Sequence, residues 1–421
     1  MDILVVGNGG REHAIIKKLK SSPKCGKVYA AQGNAGIGEI AELVDIAPCD
    51  LKGIVKFVDE HKNIELTVVA PDDPLALGLV DELEKAGHRA FGPRANAAII
   101  EASKCFSKDM MERYAIPTAK AKSFDDFNAA SEYVKSQKYP LVVKADGLAL
   151  GKGVIICESV DEAQKALSEM MVGGAFGKAG TKVVIEEFLV GKEVSVLTFT
   201  DGKTIYPMIS SCDHKRVFDG DKGLNTGGMG TIAPSPFYTK EIAEEVRENI
   251  LLPTVKAMND LARPFKGVLY FGLIVTDDGV KVIEYNARFG DPETQVVLPL
   301  LETDLIDIFE AIIDSSLNEI EIKWSDKSAV CVMACSGGYP EKYEKGKEIT
   351  IGKTASNITL YHSGTKTANG KLVTNGGRVI GVTAVADNLK QAKADAYEAI
   401  KQVQFEGIHY RKDIGDKYIV R

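Results

Sequence analysis

The chain has 421 residues, 45% of them hydrophobic and 26% charged, with a net charge of −7 and a pI near 5.6. Such values fit a globular chain of two to four domains at roughly 100–200 residues each. They argue against a general nucleic-acid binder, which carries a basic stripe that no Lys/Arg block here supplies. They also argue against a membrane protein, since no apolar run approaches the ~20 residues of a spanning helix.

At the N-terminus, "MDILVVGNGG" lacks the basic lead and the apolar length of a signal peptide. The seven cysteines (25, 49, 105, 157, 212, 331 and 335) form no Cys-x-x-Cys pair. That usage reads as reduced thiols, and the expected location is cytoplasmic.

In chain order, the apolar runs "ILVVG" (3–7), "VYAA" (28–31), "LVDIA" (43–47), "LTVVAP" (66–71) and "RAFGP" (89–93) read as strands, with helical-period segments between several of them. This is the pattern of a parallel α/β sheet. Its first turn, "GNGGREH" (7–13), sits where a doubly wound sheet binds phosphates. Gly7 and Gly9 fit a dinucleotide fingerprint, but Glu12 stands where the third glycine belongs. An anion site at the helix start is still expected, with a tight structural turn as the alternative. Arg11 is left open between phosphate neutralisation and solvation of the helix.

Residues from about 101 to 190 alternate helical segments with paired strand signals and read as a small α+β subdomain. Within it, "KADGLALGKGV" (144–154) resembles a phosphate loop, but its spacing differs from Walker A. Three residues separate Gly147 from Gly151, Gly153 follows Lys152 where a hydroxyl residue is required, and the next segment reads as a strand rather than a helix. The reading is a strand–loop–strand flap that closes over phosphates, its glycines allowing backbone N–H groups to approach. Lys144 is expected as a fixed phosphate contact and Lys152 as a mobile one. Next, "VVIEEFLVGKEVS" supplies Glu186, Glu187, Phe188, Leu189 and Glu193, a connection able to border an adenine and meet ribose hydroxyls, or simply an exposed acidic strand end.

A long polar loop follows, with Asp213, His214, Lys215 and Asn225 beside "TGGMG"; it fits recognition of a zwitterionic or phosphorylated ligand. A helical stretch near 239–262 carries Pro253, which should kink or break it. Then "VIEYNARFGDPE" (282–293) reads as a strand. Alternation puts Val282, Glu284 and Asn286 on one face, with Arg288 continuing it. A carboxylate and an amide oxygen suit Mg²⁺, with water and nucleotide phosphates completing the shell. Arg288 is placed for bidentate contact with a phosphoryl group or carboxylate. From Ser328 the chain reads as a separate α+β domain ending in a helix.

Together with "GNAG" (33–36), "EEFL", "DHKR", "NTGGMG", "RFGDPETQ", "TNGGRV" (374–379) and "RKDIG" (411–415), these segments make the whole chain resemble the ATP-grasp ligases, and most closely the phosphoribosylamine–glycine ligase family. The resemblance implies an α/β and α+β multidomain fold. A Rossmann-like (pre-ATP-grasp) domain would span 1–102, an ATP-grasp core 103–325 with its lid at about 120–190, and a C-terminal α+β domain 326–421. It implies an ATP-dependent carbon–nitrogen ligase of purine biosynthesis that activates glycine as glycyl phosphate for attack by 5-phosphoribosylamine.

By the same resemblance Glu284 and Asn286 hold Mg²⁺ or Mn²⁺, while Lys104, Lys144, Gly147, Gly151, Lys152 and Gly153 contact ATP phosphates. Glu186 to Leu189 border adenine, and Glu193 meets ribose. Arg288, with Lys144 and Lys152, steadies the transferring group. Asp213 takes glycine's ammonium, near His214, Lys215 and Asn225, Thr226, Gly227 and Gly228; Gly290 and Asp291 also face substrate. Phosphoribosylamine lies by Asn8, Gly9 and Asp72.

The chain departs from the family pattern at Gln32, Asp72–Asp73 and Leu224. The expected partners are small molecules only, and the expected state is a monomer. Three other readings compete: a nucleotide-dependent oxidoreductase, a bicarbonate-using ATP-grasp enzyme related to biotin carboxylase, and a non-catalytic nucleotide-binding protein. The first leaves the flap and the Glu/Asn strand unexplained.

Overall fold

The computed structural model describes residues 1–148, 153–173 and 177–419. Its N-terminal sheet is parallel throughout, in the order Glu42–Val44, Val28–Gln32, Asp2–Gly7, Ile64–Val69, Ala90–Phe91. Ile3 and Val5 enter one core while Leu4 and Val6 enter another. Both faces of this sheet are therefore covered, which explains why its strands read as continuous apolar runs.

The ATP-grasp sheet is antiparallel: Ile205–Pro207, Lys192–Thr200, Gly267–Thr276, Gly279–Asn286. The lid sheet runs Ala121–Phe124, Val183–Glu187, Leu141–Ala145, Val154–Cys157. The lid has its own small core, including Ala130, Val143, Leu167 and Ile185, separate from the two larger ones. A subdomain with a private core can shift as a unit without tearing the rest. Leu141–Ala145 pairs antiparallel with Val154–Cys157, so the flap is a hairpin connection and not the strand-to-helix turn of a P-loop.

The C-terminal sheet is not built from C-terminal residues alone. Ser328–Ser336 pairs with Arg378–Ala386 on one side and with Gly230–Ala233 on the other, and Cys212–Asp213 adds beyond that. The polar loop at 213–230 is thus strung between two strands of this sheet. Helix Leu389–Ile400 packs against the sheet's central strands.

Pro253 does not break its helix. A wide π-helical turn at Arg247–Leu251 precedes Leu252–Asp260, and proline sits in the first turn of that segment, where its missing N–H is tolerated.

Candidate active site

The site gathers at the end of the strand Gly279–Asn286. The register across its partner slips by one: Gly272 faces Glu284, but Leu273 faces Val282, so Ile283 is the extra residue of a β-bulge. Alternation is reset there. Val280, Val282, Tyr285 and Ala287 point into a core, while Glu284, Asn286 and Arg288 stay together on the open side. The expectation that Val282 shares the face of Glu284 is therefore corrected, and the bulge is the reason. Gly272 makes the room, since a Cβ there would stand 3.0 Å from Glu284 Cγ.

Glu284 is ringed by cations. Lys215 Nζ lies 3.9 Å from its Oε1. Burial disfavours its charge, yet Lys215, Lys144, Lys104 and Arg288 outweigh burial and hold its pKa below the usual carboxylate range. Asn286 Oδ1 accepts from Arg288 at 3.1 Å. One carboxylate and one amide oxygen on a common face fit a hard divalent cation. Among the described residues no cluster of three His, Cys, Asp or Glu forms a cage, so further ligands would have to come from substrate and water.

Lys104 and Lys144 converge from different elements. Lys104 opens the helix Lys104–Arg113 and donates to the Gly147 carbonyl (3.1 Å). Lys144 ends a lid strand, donates to the Ile283 carbonyl (3.2 Å) and pairs with Glu186 at 2.9 Å. Glu186 also pairs with Lys108 at 3.2 Å. All three side chains are buried, and burial pulls the pKa of Lys108 down to about 8. The carboxylate of Glu186 is thus committed to lysines rather than turned to an adenine. Glu187 accepts from the Lys120 N–H, and Phe188 is exposed. Glu193 pairs with Lys215 at 3.3 Å. Gly151 and Lys152 lie outside the described residues, while Gly147 abuts Ala179.

Arg288 is the hub of the opposite wall. It pairs with Glu101 at 2.9 Å and faces Asp72 at 3.9 Å. Burial works against its charge, but Glu101, Asp72 and Glu293 outweigh it, so Arg288 is held firmly protonated. Its Nε is buried without a hydrogen-bond partner. Partial burial works against the charge of Asp72, but Arg288 and Arg11 keep its pKa below the usual range. Asn8 donates to the Gln32 side chain, and a Cβ on Gly9 would stand 3.3 Å from Asp291 Oδ2.

The helix start is corrected in part: Glu12 accepts from the Gly9 N–H at 2.6 Å and brings its own negative charge, filling the place left for an outside anion. Arg11 bonds Glu12 and the Phe289 carbonyl, so it pins the two segments together rather than solvating the helix.

Asp213 lies beside Gly228 and receives a long contact from Thr231 (3.4 Å). Burial pushes its pKa well up, with Glu293 adding and Lys215 opposing. Burial also raises Glu293, whose Oε1 accepts from Tyr270 (3.2 Å) and Ser195 (3.4 Å). Gly290 admits that carboxylate, since a Cβ there would meet it at 2.4 Å. Thr226 bonds the Lys215 carbonyl, and Asn225 pairs with Arg216 in a hairpin.

His214 does not face substrate. Its Nδ1–H donates to the Gly230 carbonyl (3.1 Å) and its Nε2 accepts from the Gly415 N–H (3.0 Å), which leaves no free polar atom.

Several contributors are visible only in three dimensions. Arg378 donates to the carbonyls of Gly227 and Asp291, and pairs with the Asp291 carboxylate at 3.3 Å. Asp146 accepts from Ser103 Oγ and the Cys105 N–H, tying the flap root to the helix at 104. Glu101, Lys108 and Glu293 complete the set. "TNGGRV" and "RFGDPE" carried the signal for Arg378 and Glu293. Nothing in the local pattern pointed to Glu101 or Lys108.

Family models for phosphoribosylglycinamide synthetase match consecutive parts of the chain: the N domain at 1–101, the ATP-grasp (A) domain at 102–294 and the C domain at 329–417. The chain belongs to the phosphoribosylamine–glycine ligase family. Within that family it is 48% identical over 418 residues to the phosphoribosylamine–glycine ligase of Caldanaerobacter subterraneus, covering 99% of this chain and 100% of that one. The crystal structure of the Thermotoga maritima phosphoribosylamine–glycine ligase superposes with a TM-score of 0.86 at 32% identity, over 98% and 100% of the two chains. The biotin carboxylase domain of Hydrogenobacter thermophilus 2-oxoglutarate carboxylase, at 16% identity, gives 0.75 over 97% and 91%, a likeness of fold alone.

The buried histidines predict an acid-labile fold for this family member. Burial depresses His214 and His362 to about 4 and His13 to about 3. The unfolded chain binds protons near pH 6.5 and the folded one does not, so stability is full above that pH and is lost as pH falls toward 4. Each histidine contributes up to about 1.4 kcal/mol per pH unit within that window. Urea midpoints measured from pH 7.5 to 4.5 should fall steadily, and His214→Asn should flatten the fall. An unchanged slope in the variant would refute the assignment to His214.

Proposed function

We propose that the chain joins glycine to 5-phosphoribosylamine at the expense of ATP, giving glycinamide ribonucleotide, ADP and phosphate in purine biosynthesis. Full-length membership in the ligase family supports this reading, and so does the open-sided Glu284–Asn286–Arg288 strand ringed by lysines.

Glycine's carboxylate cannot acylate an amine unaided, because its leaving group would be oxide or hydroxide. Transfer of the γ-phosphoryl group to a carboxylate oxygen breaks the bond to ADP and gives glycyl phosphate. The amine of phosphoribosylamine then attacks the carbonyl carbon, phosphate leaves, and the amine loses a proton. A divalent cation held by Glu284 and Asn286 would supply charge neutralisation on the polyphosphate. Lys104 and Lys144 supply fixed positive charge on the same face, and Arg288 neutralises the transferring group and the acyl phosphate. Asp213, seconded by Glu293, takes the glycine ammonium, which sets the carboxylate toward Arg288. The lid excludes water, which would hydrolyse the acyl phosphate.

Mg²⁺ and Mn²⁺ both suit the oxygen pair. We take the chain to act as a cytoplasmic monomer, its seven cysteines being free thiols.

Purified protein with ATP, Mg²⁺ and glycine should release phosphate only when fresh phosphoribosylamine is present, with glycinamide ribonucleotide as product. Turnover with bicarbonate or another acid instead of glycine would overturn the reading.

A further inference from the structure

The segment 409–418, which includes "RKDIG", supplies none of the site's polar groups described above, yet it bonds repeatedly to one loop. Arg411 is 1% exposed, the largest fully buried side chain among the described residues. It grips Asp413 with two parallel bonds of 2.8 Å, and its Nη1 donates to Asp221 Oδ1 (2.8 Å) and to the Arg216 carbonyl (3.0 Å). Around it, the Gly220 N–H donates to Asp413 and the Lys412 N–H donates to Asp219, each at 2.8 Å. The Val217 carbonyl meets His409 Nε2 (2.9 Å), Lys417 pairs with Asp221, and the Gly415 N–H reaches His214.

All of these contacts fall on residues 214–221. Along this stretch the side chains alternate: His214 faces the C-terminal segment, while its neighbours Asp213 and Lys215 face the site. Asp213 sits on a strand of only two residues, and Lys215 lies beyond its end. The sheet and Thr226 hold them only through the backbone, on the side of Thr231 and Gly230, so the grip on the other side of the loop adds to their placement.

We infer that Arg411, through Asp221, Asp413 and His214, is a positioning residue for the amino-acid end of the active site. The C-terminal segment acts as a clamp that sets Asp213 and Lys215 against the substrate. This rests on the reading of Asp213 as the group that meets glycine's ammonium. The bidentate fork matters as much as the charge, because lysine cannot reproduce the two parallel bonds to Asp413 or the bond to the Arg216 carbonyl. Displacing a binding group by even about 1 Å weakens its contact strongly, so the glycine half-site should suffer. The ATP half-site should suffer less, since Lys104 and Lys144 are held by other elements and only Glu193 and Glu284 reach Lys215.

The test compares Arg411→Lys, Asp413→Asn and Asp213→Asn in the full chain, with KM measured separately for glycine and for ATP. Asp213→Asn should raise the glycine KM by about tenfold or more, and Arg411→Lys and Asp413→Asn should each raise it by about tenfold. The ATP KM should rise less than the glycine KM in all three, since Lys104 and Lys144 hang on elements the clamp does not bond. A glycine KM left unchanged in Arg411→Lys and Asp413→Asn while Asp213→Asn raises it would overturn the clamp and leave the substrate reading standing. So would a fall in kcat with both KM values unmoved, the pattern of a purely structural residue that lowers the active fraction. An unchanged glycine KM in Asp213→Asn would instead overturn the substrate reading and the clamp with it.

Discussion

Glu284→Ala is expected to lower turnover at ordinary Mg²⁺ by at least about a thousandfold, while the protein folds and still binds metal-free ATP. The loss should exceed that of a single transition-state hydrogen bond, about 10²–10³, because the substitution removes the only carboxylate of the oxygen pair. ATP binding without metal should hold or tighten. Glu284 sits among Lys215, Lys144, Lys104 and Arg288, and deleting it leaves those cations with less negative charge to balance them. Stability should change little, since Glu284 is 32% exposed and its nearest cation is 3.9 Å away. Glu284→Gln, which keeps an oxygen but no charge, should fall between the two enzymes and respond to raised Mn²⁺. Single-turnover ADP formation with titrated metal, beside calorimetric binding of metal-free ATP, reads both effects. Normal activity of the alanine variant at ordinary Mg²⁺ would remove Glu284 from the metal site.

That Glu284 and Asn286 share one face was legible in the sequence because a strand's alternation is a local property. Val282 was misassigned because a β-bulge is fixed by the partner strand, and Gly272 is too far away in sequence to reveal it. The flap was legible from spacing and flanks for the same local reason. His214 was read as substrate-facing because it sits inside a polar motif. In the structure the alternation of Asp213, His214 and Lys215 sends it to the other side, where Gly415 meets it from two hundred residues away. Glu12 looked like a defect in a glycine fingerprint; it is the cap of the helix that fingerprint opens. Glu101 and Lys108 left no local trace, since each acts on a residue more than seventy positions distant.

Arg288→Met separates catalysis from folding. The single variant should lose turnover, because the guanidinium that bonds Asn286, and that we propose meets the transferring group, is gone. It should also be less stable by about 3–5 kcal/mol, since Glu101 is buried and would be left unpaired. The pH dependence carries a signature. Burial already raises the pKa of Glu101, and Arg288 is the largest influence holding it down. Without that cation the folded-state pKa climbs further above the unfolded value of about 4.3. A group with a raised folded pKa contributes stability below the unfolded pKa, and that stability is lost as pH rises through the folded one. The variant should therefore regain stability on mild acidification from neutral pH, against the trend the histidines impose on the parent. Adding Glu101→Gln, which keeps an acceptor for the Ala287 N–H, should restore most of the stability at neutral pH and none of the turnover. Denaturant midpoints across pH 5–8 for the parent, the single and the double variant, with phosphate release from each, decide the matter. A double variant that recovers activity along with stability would show that Arg288 acts only by holding Glu101, and would remove it from the chemistry.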